Sequence, residues 1–321
     1  MTDPRARLPL TVFAIPFGLS GLAGAWTVAT PVLGVPPVVG AVLWAIAAGA
    51  WVVLLVAYLR RAAPVASTVM RDLRDPMRGP FGALVPVVAI LLGGALAQWW
   101  MPGAVVLVTV GVVVIGILSA WSLAAVLTGA VDARIFHPGY FLYTLAGGLI
   151  GAIGLAEVGA HEVALIAFGV GVFFWIVLSA VVIARLSALP ALPAGVLPTL
   201  AIFSVPPSVA GLAWFGIAGE HLDIVHQVLL GLMLLLLASQ AVLVPRYARL
   251  PFGIGTWSFT FTAAAPASYG MHWLGLAQPA GWAVWSWLIL AAVTVWIGGI
   301  AVRSLIRGRR LVEPATAAAA P

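Results

Sequence analysis

The sequence predicts an all-α integral membrane protein of ten transmembrane helices, paired as five helical hairpins. Three observations carry that reading. Of 321 residues, 63% are hydrophobic and 7% are charged, where a soluble domain carries about 25% charged residues. The apolar residues fall into ten runs. Each is long enough to cross a bilayer core as a helix, and too long and continuous for a barrel strand. The 15 basic residues are all arginine, and they collect on one side of those runs.

In chain order the runs are 8–29, 36–59, 80–100, 103–130, 138–159, 162–185, 194–218, 223–245, 252–274 and 279–302. Arg5 and Arg7 precede the first. Arg60, Arg61, Arg71, Arg74 and Arg78 lie between the second and third. Arg134 lies between the fourth and fifth, and Arg185 ends the sixth. Arg246 and Arg249 lie between the eighth and ninth. Arg303, Arg307, Arg309 and Arg310 follow the tenth. A missed or false helix would scatter these charges over both sides. The opposite loops hold Glu157, Glu162, Glu220 and Asp223. The positive-inside rule then puts both termini in the cytoplasm. The basic loops are expected to face anionic membrane lipids, so the +6 formal charge does not point to nucleic acid. The expected layout is a cytoplasmic N-terminus over 1–7, a ten-helix transmembrane domain over 8–304, and a basic, low-complexity cytoplasmic tail over 305–321. Arg5 and Arg7 before an apolar run faintly resemble a signal peptide. Nine similar segments follow, so the run is read as the first span.

The odd and even spans differ. Span one has Pro16 within FAIPFGLSGLAGAW, and span three has Pro86, Gly93 and Gly94. Span five holds Gly139, Gly147, Gly148, Gly151 and Gly154. Span seven carries Pro198, Pro206 and Pro207 with Ser204 and Ser208. The even spans lean on Leu, Val, Ile and Trp, although Gly111 and Gly116 blur the contrast in span four. Helices broken by proline and rich in small residues belong inside a bundle, where neighbours satisfy freed carbonyls. Smooth, bulky helices belong against lipid. Five inner and five outer helices follow.

Little in the chain suggests catalysis. Without cysteine there is no disulfide, thiolate metal site or Cys nucleophile. His161–Glu162 opens like a zinc-protease motif, but Leu165 stands where the second histidine belongs. Gly253-Ile-Gly255 has no βαβ unit around it. Gly147 and Gly151 have the spacing of a close helix contact. The histidines (His137, His161, His221, His226 and His272) all fall at span ends, and no ionisable residue lies clearly at mid-membrane. Glu157 comes nearest and reads as a rim residue. No cofactor or metal is expected, and proton coupling through the membrane is disfavoured. Hydroxyls at Ser204, Ser208, Thr256, Ser258, Thr260 and Thr262 could serve an anion as donors.

Span nine is the most unusual. Phe252 to Gly270 reads FGIGTWSFTFTAAAPASYG. It is apolar but full of Gly, Ser and Thr, with Pro266 inside it, and suits a helix that lines a cavity. Phe259 and Phe261 lie about 200° apart on a helix, so only one faces the axis. Phe261 shares its face with Trp257, Ser258, Ala265 and Ser268; Phe259 shares its face with Phe252, Gly255 and Pro266. Periodicity does not choose between them, and ordinary core packing accounts for either.

Four stretches, in order and spacing, resemble the tellurite-resistance and C4-dicarboxylate transporter family, which includes the plant guard-cell slow-type anion channels. They are FAIPFGLSGLAGAW, HPGYFLYTLAGGLIGAIGLAEVG, PPSVAGLAW and GTWSFTFTAAA. The resemblance covers nearly the whole chain. It implies a quasi-fivefold inner ring of five helices around a pore, five outer helices, and a homotrimer with one pore per subunit. It also implies that Phe261 is the pore gate. Pro16, Pro86 and Pro207 match inner-helix prolines, and Ser208, Trp257, Ser258 and Ala265 join them as candidates for lining or kinking the pore. Tyr143 and Thr262 stand where some relatives have proline, which leaves the pore shape open there. The expected function is a gated channel for small inorganic or organic anions, such as chloride or nitrate, in a bacterial plasma membrane. The alternative is a carrier exporting an oxyanion or dicarboxylate (tellurite, sulfite, malate), with or without proton coupling. An embedded enzyme would need a constellation at depth, and the sequence shows none.

Overall fold

The computed structural model describes residues 8–62 and 65–308. Residues 1–7 and most of the expected tail lie outside them. The described residues form eleven α-helices and no strand: α1 (Ala14–Leu33), α2 (Pro37–Arg61), α3 (Val65–Leu73), α4 (Leu84–Leu96), α5 (Met101–Leu127), α6 (Leu145–Glu157), α7 (His161–Ala188), α8 (Pro206–Ala218), α9 (Ile224–Tyr247), α10 (Ser258–Ala277) and α11 (Trp282–Arg307). Nine helical segments among the described residues are long and apolar enough to cross a membrane. The tenth, α10, has 20 residues but too many hydroxyls and small residues to qualify by composition.

α3 is absent from the sequence expectation. It turns Thr68 inward, and the Tyr58 hydroxyl ties it to α2 by donating to Asp72 Oδ2 at 3.0 Å. Span three ends at Leu96 rather than near 100, leaving Trp99 and Trp100 exposed. α11 runs on to Arg307.

Burial alternates along the chain. In the first, third, fifth and seventh spans, 61–89% of the most apolar stretch is buried; in the even spans the figure is 11–22%. In α10, half of the 20 residues are buried. The buried helices touch one another in a cycle: α1 meets α4, α4 meets α6, α6 meets α8, α8 meets α10, and α10 meets α1. The exposed helices pack outside them, α2 on α1 and α4, α5 on α4 and α6, α7 on α6 and α8, α9 on α8, and α11 on α10 and α1.

Each buried span enters through a 3₁₀ turn before becoming α-helical: Leu10–Phe13, Gly79–Ala83, Pro138–Leu142, Leu197–Ser204 and Ile254–Trp257. Pro80, Pro138 and Pro198 open three of these turns, where a missing N–H costs nothing. A change of helix type misaligns carbonyls, and hydrocarbon offers no water to satisfy them. The outer helices supply the donors. Trp51 Nε1 donates to the Val85 carbonyl (3.1 Å), Ser119 Oγ to Tyr143 (2.8 Å), Gln240 Nε2 to Leu200 (3.2 Å) and Trp296 Nε1 to Phe259 (3.2 Å).

Small residues bring the buried helices together. A Cβ on Gly18 of α1 would lie 2.7 Å from Thr260 Cβ, and one on Gly21 would lie 3.0 Å from Phe261 Cδ2. Gly148 of α6 meets backbone rather than side chain; its Cβ would fall 2.7 Å from Gly171 Cα of α7. The expected Gly147/Gly151 contact is therefore uneven. Gly147 presses on Ile115 of α5, Gly151 has only ordinary contact at 3.7 Å, and the tightest crossing belongs to Gly148.

Candidate functional site

The five buried spans converge on one narrow cavity of about 40 Å³, room for a few waters at most. Ala14 and Phe17 line it from the first span, Phe81 and Leu84 from the third, and Phe141 and Leu145 from the fifth. Val205 and Val209 line it from the seventh, and Trp257, Ser258, Phe261 and Thr262 from the ninth. Ser258 and Thr262 are its only polar lining residues. It lies where the 3₁₀ turns pass into α-helix, towards the arginine-bearing end of the bundle.

Phe261 and Phe17 line the cavity as a stacked pair. Their ring centroids are 3.8 Å apart with planes inclined at 15°, and both rings are buried. Of the two phenylalanines that periodicity leaves open, Phe261 lines the cavity. Phe259 turns outward against Tyr247 of α9, with centroids 4.8 Å apart, and lines no part of the cavity. Gly18 and Gly21 let α1 come close enough for the stack.

Of the other candidates, Trp257 and Ser258 reach the cavity. Trp257 is fixed from behind, its Nε1 donating to Ser304 Oγ of α11 at 3.0 Å. Pro16, Pro86, Pro207, Ser208 and Ala265 are buried but do not line it. The three prolines sit in the first turn of α1, α4 and α8. There they mark the handover from 3₁₀ to α geometry, within three residues of lining side chains. They do not kink a helix in mid-span, where α10 has Pro266.

The hydroxyls are mostly spent. Thr260 Oγ1 donates to the Trp257 carbonyl (2.6 Å), Thr262 Oγ1 to Ser258 (3.0 Å) and Ser204 Oγ to Ala201 (2.9 Å), while Thr256 Oγ1 accepts from the Gly253 N–H. A hydroxyl that has given its proton to its own helix presents lone pairs. Such groups are poor donors to an anion. Ser208 Oγ is buried without a partner.

Phe17 escapes a sequence reading because its importance is a cross-helix stack between residues 244 positions apart. The one local signal is that it follows Pro16. His137 and His226, expected at span ends, are both fully buried. His137 Nδ1 accepts from the Gly139 N–H at 3.1 Å, capping the 3₁₀ turn of the fifth span. Burial pushes its imidazole down to about 4, so it serves as a neutral cap. Glu157 ends α6 and is exposed. Among the described residues no group of His, Asp and Glu is arranged to hold a metal.

A protein-family model described as SLAC1, voltage-dependent anion channel, matches residues 7–305. The chain belongs to the SLAC1 family. It is 27% identical over 262 residues to a protein of Haemophilus influenzae named tellurite resistance protein TehA homolog, covering 81% of this chain and 80% of that one. It is 26% identical over 271 residues to the guard cell S-type anion channel SLAC1 of Arabidopsis thaliana, covering 79% of this chain and 48% of the relative. Identity to the S-type anion channel SLAH2 of the same plant is 24% over 279 residues, 82% of this chain and 52% of that one. The chain thus spans about half the length of these plant relatives. SLAC1-family proteins are membrane channels and transporters, and this one is an all-helical, multispan member.

Proposed function

We propose that this protein is a gated channel for small anions such as chloride or nitrate, with Phe261 as the gate. The five inner helices form a quasi-fivefold ring around a pore, and the five outer helices face lipid or neighbouring subunits of a homotrimer. The protein sits in a bacterial plasma membrane with both termini cytoplasmic. One observation carries this reading: all five buried spans line one narrow cavity, and an aromatic pair from α1 and α10 stacks within its lining. An apolar plug in a passage of this width leaves an ion no room to keep its hydration shell. Movement of one ring then opens the path without new chemistry.

The test is reconstitution into planar bilayers or liposomes and measurement of chloride and nitrate currents. Wild type is expected to be nearly silent and Phe261→Ala strongly conducting. Unchanged current in a folded Phe261→Ala protein removes the gate assignment. A second reading, an oxyanion or dicarboxylate carrier, is favoured by the name of the bacterial relative. Uphill flux driven by a pH gradient in liposomes would establish it over the channel.

A further inference from the structure

The lining of the cavity carries no charge. Of its two hydroxyls, Thr262 has given its proton to its own helix. A fixed charge that favours anions therefore has to stand behind the lining. The described arginines lie at the end where the inner spans begin, and all but one are exposed. Salt screens exposed charges over about 8–10 Å. The exception is Arg185, in the last turn of α7, with 7% of its surface exposed.

The guanidinium is held but not neutralised. Nε and Nη2 both donate to the Arg134 carbonyl, at 3.3 and 2.9 Å, and Nη1 is buried without a partner. Among the described residues no carboxylate forms an ion pair with it. The carboxylates at this end are engaged elsewhere. Asp72 accepts from the Tyr58 hydroxyl, Asp75 from the N–H groups of Met77 and Arg78, and Asp132 from the Arg134 N–H. A guanidinium keeps its proton at any working pH. The C-terminal end of α7 offers it about half a unit of negative charge, which eases the burial and leaves the balance positive. A charge buried without a partner costs stability; here its position gives that cost a use.

Arg134 leads into the 3₁₀ turn of the fifth span, Pro138–Leu142, and α7 packs on that turn. Phe141 and Leu142 of the same turn line the cavity. The turn is fixed in place: the Tyr140 and Tyr143 hydroxyls donate to the Pro76 and Gly79 carbonyls at the entry of the third span, at 3.1 and 2.8 Å. Two contacts set α7 antiparallel to the fifth span, Arg185 on Arg134 and Gly171 on Gly148. In that register Arg185 stands about two turns outside the cavity and about one helix diameter to its side, roughly 12–15 Å away. We propose that Arg185 sets the preference for anions: a buried positive charge beside the inner approach, which favours a small inorganic anion on its way to the aromatic pair and disfavours a cation. This rests on the anion-pathway reading. One unit charge at that distance changes the local concentration of a monovalent ion about twofold at the dielectric of water, and up to about tenfold at the effective value of about 20 near protein.

The test uses the full chain carrying Phe261→Ala, in planar bilayers under a potassium chloride gradient, with folding checked by thermal melting. Arg185→Gln is expected to lower the chloride current about two- to tenfold. The chloride-to-potassium permeability ratio, read from the reversal potential, falls by more, because the charge acts oppositely on potassium. Arg185→Lys keeps the charge and is expected to keep the ratio. Arg246→Gln removes an exposed arginine from the last turn of α9 and is expected to change neither. An Arg185→Gln protein that folds with the parent's ratio overturns the assignment and leaves the pathway standing. So does an equal loss in Arg185→Lys, which marks a structural tie to Arg134. If Arg185→Gln does not fold, the parent decides: a buried charge is screened little, so the ratio is expected to persist between about 0.1 and 1 M salt, and its collapse to unity at the higher salt overturns the proposal. A folded Phe261→Ala protein that passes no anion overturns both this assignment and the pathway.

Discussion

Phe17→Ala is the sharpest probe of the proposed gate, because it leaves Phe261 in place and removes the ring stacked on it. The rings are stacked, with centroids 3.8 Å apart and planes inclined by 15°. An aromatic pair of this kind contributes about 0.5–1.5 kcal/mol beyond the area it buries. If that energy favours the closed state alone, its loss shifts the open-to-closed ratio roughly two- to twelvefold. Single-channel recording of wild type, Phe17→Ala, Phe261→Ala and the double variant completes a double-mutant cycle. Phe17→Ala is expected to raise open probability within that range, and the double variant to behave as Phe261→Ala alone. Equal and additive increments from the two residues would refute the stack as the closing element. So would a Phe17→Ala protein as silent as wild type.

Three further outcomes follow from the packing. His137 is buried and neutral, pushed down to about 4 from the ordinary 6.5. The unfolded state takes up a proton first, so stability is full above pH 6.5 and declines as pH falls towards 4. The loss approaches about 3 kcal/mol, thermal melting in detergent should fall steeply over that window, and His137→Asn should flatten the decline. Ser304→Ala strands the buried Trp257 N–H and should cost about 1–3 kcal/mol, seen as a lower melting temperature with helix content intact. Gly148→Ala drives a methyl into the backbone of α7. Its cost should reach or exceed the 1–3 kcal/mol typical of overpacking, because backbone cannot rotate aside; a melting temperature equal to wild type would contradict the close crossing.

Much of the fold was legible because the membrane enforces it. Run length and the placement of arginines gave ten spans whose ends fall within a few residues of the observed helices, and α3 was missed because nine mixed residues carry no span signal. The inner and outer assignment was readable from proline and glycine, and burial alternates accordingly. The 3₁₀ entries were not foreseen, although Pro80, Pro138 and Pro198 mark three of them. The site was less legible. Helical periodicity separates Phe259 from Phe261 by angle but has no reference direction, and only the position of α1 and α9 supplies one. The serine and threonine hydroxyls looked like donors along the path, yet three of them bind their own helix carbonyls, a choice that depends on rotamer rather than residue type.

The hydroxyls and small residues of α10 also bear on how the protein is made. A segment of that composition gains little by leaving water for lipid on its own, whereas α11, 26 residues long and apolar, inserts readily. Only the link 278–281 separates them. The helix that carries Phe261 is therefore expected to enter the bilayer together with its successor. A nascent chain halted after Ala277 would leave α10 at the surface and the ring of inner helices one member short.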